Sequence, residues 1–290
     1  MKKIIVIGAG GKMGFRVSKK LLECPEYEPY FCEVSEAGIA RLKAELGVSI
    51  ISSIKETVPQ MDIVLLAIPD ILIGRLSADI IPLMKTNALV VGLDPAAAYA
   101  NVMPIRDDLA YFVVHPHHPY LFNTEVDQKG QPDLFGGVAT QDCSCAIYRA
   151  PDGKSDEFYA EGEKLAKVIF APVGTAFHVS IEQMGFCEPG LVESIAAPMI
   201  YAIKLAYDRF KEKGVPEDAL FSFLMGHLRV QVAITFGLID ARYSDGAIAA
   251  LNKAMGEIFK DDWLDKMTST TFINRSIYEI TDATSQSTNR

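Results

Sequence analysis

The chain has 290 residues, 49% of them hydrophobic, and a formal charge of -9, so it is long enough for two domains with a core each. The negative charge excludes nucleic acid and anionic lipid as main partners, since both would repel it at long range. Five cysteines, Cys24, Cys32, Cys143, Cys145 and Cys187, lack any paired C-x-x-C spacing and read as reduced thiols.

Residues Lys2 to Leu22 read as strand, glycine turn and helix. Glycines allow positive φ and let backbone N–H groups approach a pyrophosphate at the positive end of a helix, so a dinucleotide is the expected ligand. Gly8, Gly11 and Gly14 fit G-x-x-G-x-x-G rather than G-x-G-x-x-G, which makes the turn one residue longer. Gly8, Gly11, Lys12, Met13 and Gly14 are therefore the first cofactor-binding candidates. The charged start and apolar run faintly resemble a secretion signal, but the glycines and Lys12 interrupt it. No later run is expected to reach membrane-spanning length, and a soluble cytoplasmic protein is expected.

A second strand from Tyr27 ends at Glu33, where an acidic residue would accept hydrogen bonds from the adenosine ribose and repel a 2′-phosphate. This favours NAD over NADP, the alternative being a solvated loop glutamate. Ser35 to Leu46 reads as a helix, Val48 to Ile51 as a short strand, and Asp62 to Ile68 as a buried parallel strand. Ile68, Pro69 and Asp70 then fall where a doubly wound sheet opens its crevice, although Pro-Asp is also ordinary helix-start chemistry. A helix over 71–84 and a strand over 88–93 follow, and the alternation implies parallel pairing with right-handed crossovers.

The strand Ala110 to Val114 leads into His115-Pro116-His117-His118-Pro119. The prolines keep this segment extended, so His115 and His117 project to one side and His118 to the other. His115, at a strand's carboxyl end, is the first candidate for proton transfer or metal binding. A polar loop over 124–133 could cover the crevice. Strands over 137–141 and 145–149, a helix over 155–170 and a last strand over 174–179 close a dinucleotide domain at residues 1–180.

Residues 181–290 read as an all-helical substrate and dimerisation domain, with helices over 189–213, 217–238 and 244–259. Leu191, Ile195, Met199, Ala202 and Ala206 form a stripe whose default reading is core packing. The second helix is apolar on most faces, which predicts a homodimer. Glu188 precedes Pro189, a good first helical residue, so the carboxylate either meets His115 to hold a metal or exchange protons, or serves the helix dipole. Lys204, Arg229 and Arg242 are possible anchors for a substrate carboxylate, while Lys204 with Asp208 also reads as a surface pair. The polar tail over 281–290 is expected to fray.

The architecture is similar to that of the 6-phosphogluconate and β-hydroxyacid dehydrogenase-like group, which joins a Rossmann-type dinucleotide domain to a helical dimerisation domain. Within it, Gly8 to Gly14, Leu93 to Tyr99, His115 to Pro119 and Gly185 to Gly190 most resemble the D-apionate oxidoisomerases. The resemblance implies NAD-dependent oxidation of a branched sugar acid, D-apionate, with migration of a carbon substituent to give 3-oxo-isoapionate. The lysine and asparagine four residues apart of the β-hydroxyacid dehydrogenases have no match here, because Asp208 follows Lys204. Nor is there the paired acidic motif with which ketol-acid reductoisomerases hold two magnesium ions. One divalent ion, zinc or magnesium, held by His115 and Glu188 is the expectation. The competing readings are a plain hydroxyacid or prephenate-type dehydrogenase that uses His115 without metal, and a dinucleotide sensor with an idle site.

Overall fold

The computed structural model describes residues 1–282. Its sheet has seven strands: β1 (Lys2–Ile7), β2 (Tyr27–Cys32), β3 (Ile63–Leu66), β4 (Leu89–Gly92), β5 (Ala110–Pro119), β6 (Gln141–Arg149) and β7 (Val173–His178). The spatial order is β2-β1-β3-β4-β5-β6-β7. The first five are mutually parallel, as the strand and helix alternation predicts. β6 runs antiparallel to β5, contrary to the all-parallel expectation. No crossover helix separates residues 119 and 141, and without one the chain returns in the opposite direction.

Helices α1 (Lys12–Leu22), α2 (Glu36–Arg41), α3 (Ile54–Thr57), α4 (Asp70–Ile80), α5 (Ala96–Tyr99), α6 (Ser155–Ile169) and α7 (Ile181–Gly185) belong to this sheet unit. β1, β3 and β4 are buried on both sides, so their side chains alternate between two cores. One core gathers Ile4, Val6, Leu65 and Phe112, and the other Ile5, Val64, Val90 and Tyr111.

Three local expectations are corrected. Val48 to Ile51 forms no strand and is tied to the sheet only by Ile51 N–H donating to the Phe31 carbonyl. Residues 137–140 are likewise not a strand, and one strand covers 141–149. β5 continues through the histidine cluster to Pro119, because the prolines fall where the pairing with β6 becomes irregular.

The chain divides into two compact units, Met1–Glu188 with the residues from Asn274 onward, and Pro189–Ile273. The sequence reading divides it near Ser180 instead. Ser180 opens α7 through a reciprocal capping box with Gln183. α7 stays with the sheet, where a Cβ on Gly185 would fall 2.7 Å from the Tyr99 ring. Tyr99 in turn donates to Asn274 Oδ1 at 2.7 Å, which holds the C-terminal helix to the same unit.

The second unit contains α8 (Ala197–Glu212), α9 (Glu217–Thr235), α10 (Asp245–Ile258) and α11 (Trp263–Met267), and α12 (Thr270–Thr281) starts within it. The last two are not anticipated from sequence. α8 and α10 contain no buried residue and α9 only Ala233, so the stripe from Leu191 to Ala206 does not fill a closed core. Ile195, Met199, Ala202 and Ala206 instead line an open apolar groove of about 640 Å³ with Ile258 and Trp263. By length and composition the helical run Ile181–Glu212, mean hydropathy 1.2, would also pass for a membrane-crossing helix, contrary to expectation. The expected fraying of the tail beyond residue 282 lies outside the described residues.

Candidate active site

The glycine turn has the shape its chemistry requires. Gly8 has φ +81°, and a Cβ there would lie 2.4 Å from the Ala67 carbonyl oxygen. A Cβ on Gly14 would lie 2.0 Å from the Gly8 carbonyl oxygen, so the start of α1 packs directly on the turn. A cleft of about 710 Å³ opens beside it, lined by Gly8, Gly11, Glu33, Ile68, Pro69 and Arg75 among others. Asp70 is the first residue of α4, and the lining of the cleft passes through Pro69 rather than Asp70.

Glu33 sits at the end of β2 and is held there by backbone amides. Its Oε2 accepts from Gly10 N–H at 2.8 Å, and its Oε1 accepts from Val34 N–H at 2.8 Å and Ser35 N–H at 2.9 Å. The carboxylate therefore braces the glycine turn, and Glu33 also lines the cleft.

Lys12 and Met13 begin α1 and meet neighbours other than the cleft. Lys12 Nζ stands 4.0 Å from the centre of the Phe135 ring. Met13 Sδ accepts a long contact from Arg16 Nη1. Arg16 also donates to the carbonyls of Phe135 and Gly136, which fastens the loop after residue 120 onto α1. Asp133 organises that loop by accepting four backbone N–H groups, from Phe135, Gly136, Val138 and Ala139. Burial works to raise its carboxyl, and the four donors together hold it below the usual carboxylate range.

Just past the end of β4 and of the stretch of β5 that pairs with it, three side chains converge. His115 is thus inside β5 and not, as the sequence suggests, at its carboxyl end, because pairing with β6 carries the strand on to Pro119. His115 Nδ1 donates to the Leu93 carbonyl at 3.0 Å, which in the neutral ring leaves the Nε2 lone pair free. That nitrogen faces Glu188 Oε2 at 3.5 Å. Asp94 Oδ2 stands 3.6 Å from Nδ1 on the other side of the ring, while Asp94 Oδ1 caps α5 by accepting from Ala96 N–H at 2.8 Å. Burial raises the Glu188 carboxyl above its usual range, His115 opposes that shift and Asp94 adds to it.

Glu188 does not sit at a helix start. It lies inside the wide π-helical stretch Phe186–Ala196, which accommodates Pro189. The helix-dipole explanation of its position therefore lapses, since helical winding already runs from Ile181. His117 shares the face of His115, with Nε2 2.8 Å from Ser144 Oγ, and burial holds its ring below the ordinary imidazole range. His118 turns to the other side against Phe135. Lys204 is bound to Asp208 at 2.6 Å, as the surface-pair reading expects.

Two groups escaped the sequence reading. Asp94-Pro95 follows a buried strand as Pro69-Asp70 does, and the same signal would have marked it. Ser144 carries no signal of its own, because only the β5 to β6 register brings it opposite His115.

Nε2 and Oε2 facing each other are two electron-pair donors that need a proton or a cation between them. Two ligands of one tetrahedral ion at ~2.0–2.1 Å lie roughly 3.3 Å apart, so the 3.5 Å between Nε2 and Oε2 suits a pair that would hold one ion. Among the described residues no group of three histidine, cysteine or acidic side chains is placed to hold one.

The fold and site define an NAD-binding oxidoreductase of the Rossmann type with a helical second unit. Residues 123–281 match the family model for the C-terminal part of phosphogluconate dehydrogenase (decarboxylating). A D-apionate oxidoisomerase of Rhizobium rhizogenes is 40% identical over 264 residues, 91% of this chain and 94% of the relative. One of Cupriavidus necator is 39% identical with the same coverage. A crystal structure of a semialdehyde dehydrogenase NAD-binding protein from Cupriavidus necator, in complex with calcium and NAD, is 38% identical with a TM-score of 0.90. That match covers 97% of this chain and 99% of the other. The chain belongs to the D-apionate oxidoisomerase family.

Proposed function

We propose that the protein is a soluble, cytoplasmic, NAD-dependent D-apionate oxidoisomerase whose reacting groups are His115 and Glu188. The observation that carries this reading is their convergence just past the paired stretch of β4 and β5, in a chain that has the glycine turn and Glu33 and whose relatives bear that name at 39–40% identity. NAD, bound with its pyrophosphate at Gly8, Gly11 and Gly14, supplies the hydride acceptor. A zinc or magnesium ion on His115 Nε2 and Glu188 would polarise the substrate's neighbouring oxygens.

The chain's own residues orient the alcohol and move its proton. The Leu93 carbonyl, with Asp94 behind it, fixes the His115 ring so that Nε2 points at the site. Oxidation removes a hydride and the hydroxyl proton from one carbon and leaves a carbonyl there. In the rearrangement the adjacent tertiary hydroxyl loses its proton as a carbon group moves, with its bonding pair, to the carbonyl carbon. The carbonyl oxygen then takes up a proton, so this second step is redox-neutral. In the metal-free reading Glu188, whose carboxyl burial raises, holds and returns that proton, whereas with an ion on the pair it would serve as a ligand instead.

The helical unit supports assembly as a homodimer, since Ile200, Tyr201, Phe221 and Phe223 are each more than half exposed. The same cover accounts for the apolar run Ile181–Glu212 without a membrane.

The test uses His115→Ala and Glu188→Ala. Each should keep its NAD affinity within about twofold, because neither touches the glycine turn. Each should lower turnover of D-apionate by about 10² to 10⁴ or more. Exhaustive chelation should abolish turnover, with zinc or magnesium restoring it. Full activity after chelation would leave a metal-free dehydrogenase with His115 as base, and normal turnover in both variants would place the site elsewhere.

A further inference from the structure

We propose that His117 and Ser144 form a second arm of the active site, a hydrogen-bonding pair that positions a substrate hydroxyl remote from the carbon oxidised at His115. The inference rests on the reading of the substrate as a polyhydroxylated acid. It starts from strand register. His115 on β5 is directly opposite Ser144 on β6, and Ser144 is directly opposite Phe177 on β7. Opposed residues on neighbouring strands point to one face of the sheet, so the three form a row leading away from the reacting groups.

His117 returns to the same face two residues on, and its Nε2 meets Ser144 Oγ at 2.8 Å. Its ring lies nearly parallel to Phe177, at 10° with centroids 5.7 Å apart. Phe177 is 45% exposed, so the ring presents an apolar wall beside the polar pair. The fold has other fastenings here. Asp142, in the adjoining row, holds β7 by accepting from Thr175 N–H at 2.7 Å, and the backbone ladder joins β5 to β6.

The chemistry of the pair selects its ligand. A serine hydroxyl has one proton and two lone pairs, and in the tautomer where His117 Nε2–H donates to it, Ser144 keeps its proton and one lone pair for a third group. A substrate hydroxyl, itself donor and acceptor, completes that set. A carboxylate would find no cation in the pair. Adjacent strands lie about 4.8 Å apart, so an acid carrying several hydroxyls spans both arms, whereas a short 2-hydroxy acid reaches His115 alone. The pair thus acts as a positioning and specificity device.

The experiment measures the Kd of D-apionate in the dead-end complex with NADH, alongside steady-state kinetics. Ser144→Ala and His117→Phe should each raise both Kd and KM about tenfold or more, lower kcat less than threefold and leave NAD affinity unchanged. Ser144→Thr, which keeps the hydroxyl, should restore parental values. An analogue of D-apionate lacking one hydroxymethyl oxygen should bind the parent and Ser144→Ala equally. Parental Kd values in both alanine and phenylalanine variants would overturn the proposal, as would failure of threonine to rescue. If the parent binds the acid and the variants lose it, but no rearranged product forms, the pair stands and the oxidoisomerase reading fails. Normal turnover with unchanged binding in the variants has the opposite meaning. Absence of binding of D-apionate to the parent would overturn both.

Discussion

The two units of this chain are both rich in apolar residues, yet they treat them in opposite ways. In the sheet unit Ile4, Ile5, Val64, Leu65 and Phe112 are at most 1% exposed, because each strand is covered on two sides. In Pro189–Ile273, Phe223 is 68% exposed, Phe236 74% and Ile258 70%. The contrast teaches that apolar content fixes only how much surface wants cover. A sheet with crossover helices supplies its own, while a few helices around an open groove leave their apolar faces exposed. The sheet unit can thus present a preassembled cofactor turn, and the homodimer proposed above would cover the helical unit.

The largest expected effect falls on the preassembled turn. Gly14→Val would drive a Cβ into the Gly8 carbonyl at 2.0 Å, so the turn must open and NAD affinity should fall by at least about 100-fold, read by fluorescence titration. The contrast between cores comes next. Phe112→Ala should destabilise the sheet unit by about 3–5 kcal/mol at any protein concentration. Phe223→Asp should leave a lone chain's stability within about 0.5 kcal/mol, but should shift the oligomer to monomer at micromolar concentration in light scattering. A parent that is itself a stable monomer would break the comparison.

These two cases also show what could be read from the residues alone. The parallel strands, the glycine turn and Glu33 were legible because each is local: runs of β-branched residues, glycine spacing, an acid at a strand end. The antiparallel turn-back at β6, and with it Ser144, was not, since register is set by pairing across more than twenty intervening residues. Glu188 was singled out for a partly mistaken reason. Pro189 looked like a helix start, whereas the start signal is Ser180 with Gln183, and π winding carries the proline.

A smaller effect sharpens the account of the turn. Because Glu33 accepts from Gly10 N–H as well as lining the cleft, Glu33→Ser should weaken NAD about tenfold rather than merely admit NADP. Glu33→Gln, which keeps an acceptor for that amide, should cost NAD less. Equal NAD and NADP affinities in the parent would remove Glu33 as the discriminator. The smallest effect is expected at the surface. Lys204→Ala breaks only an exposed pair with Asp208 and should change stability by no more than about 0.5 kcal/mol, whereas loss of D-apionate binding would make Lys204 a carboxylate anchor after all.

The central claim is that oxidation and carbon migration occur together at His115 and Glu188. The most direct measurement is the carbon skeleton of the product formed from isotopically labelled D-apionate, followed by NMR with NADH counted in the same sample. One NADH per molecule of rearranged 3-oxo acid is the result expected. NADH formed with an unrearranged keto acid would make the protein a plain dehydrogenase, and no NADH from D-apionate at all would contradict the assignment outright.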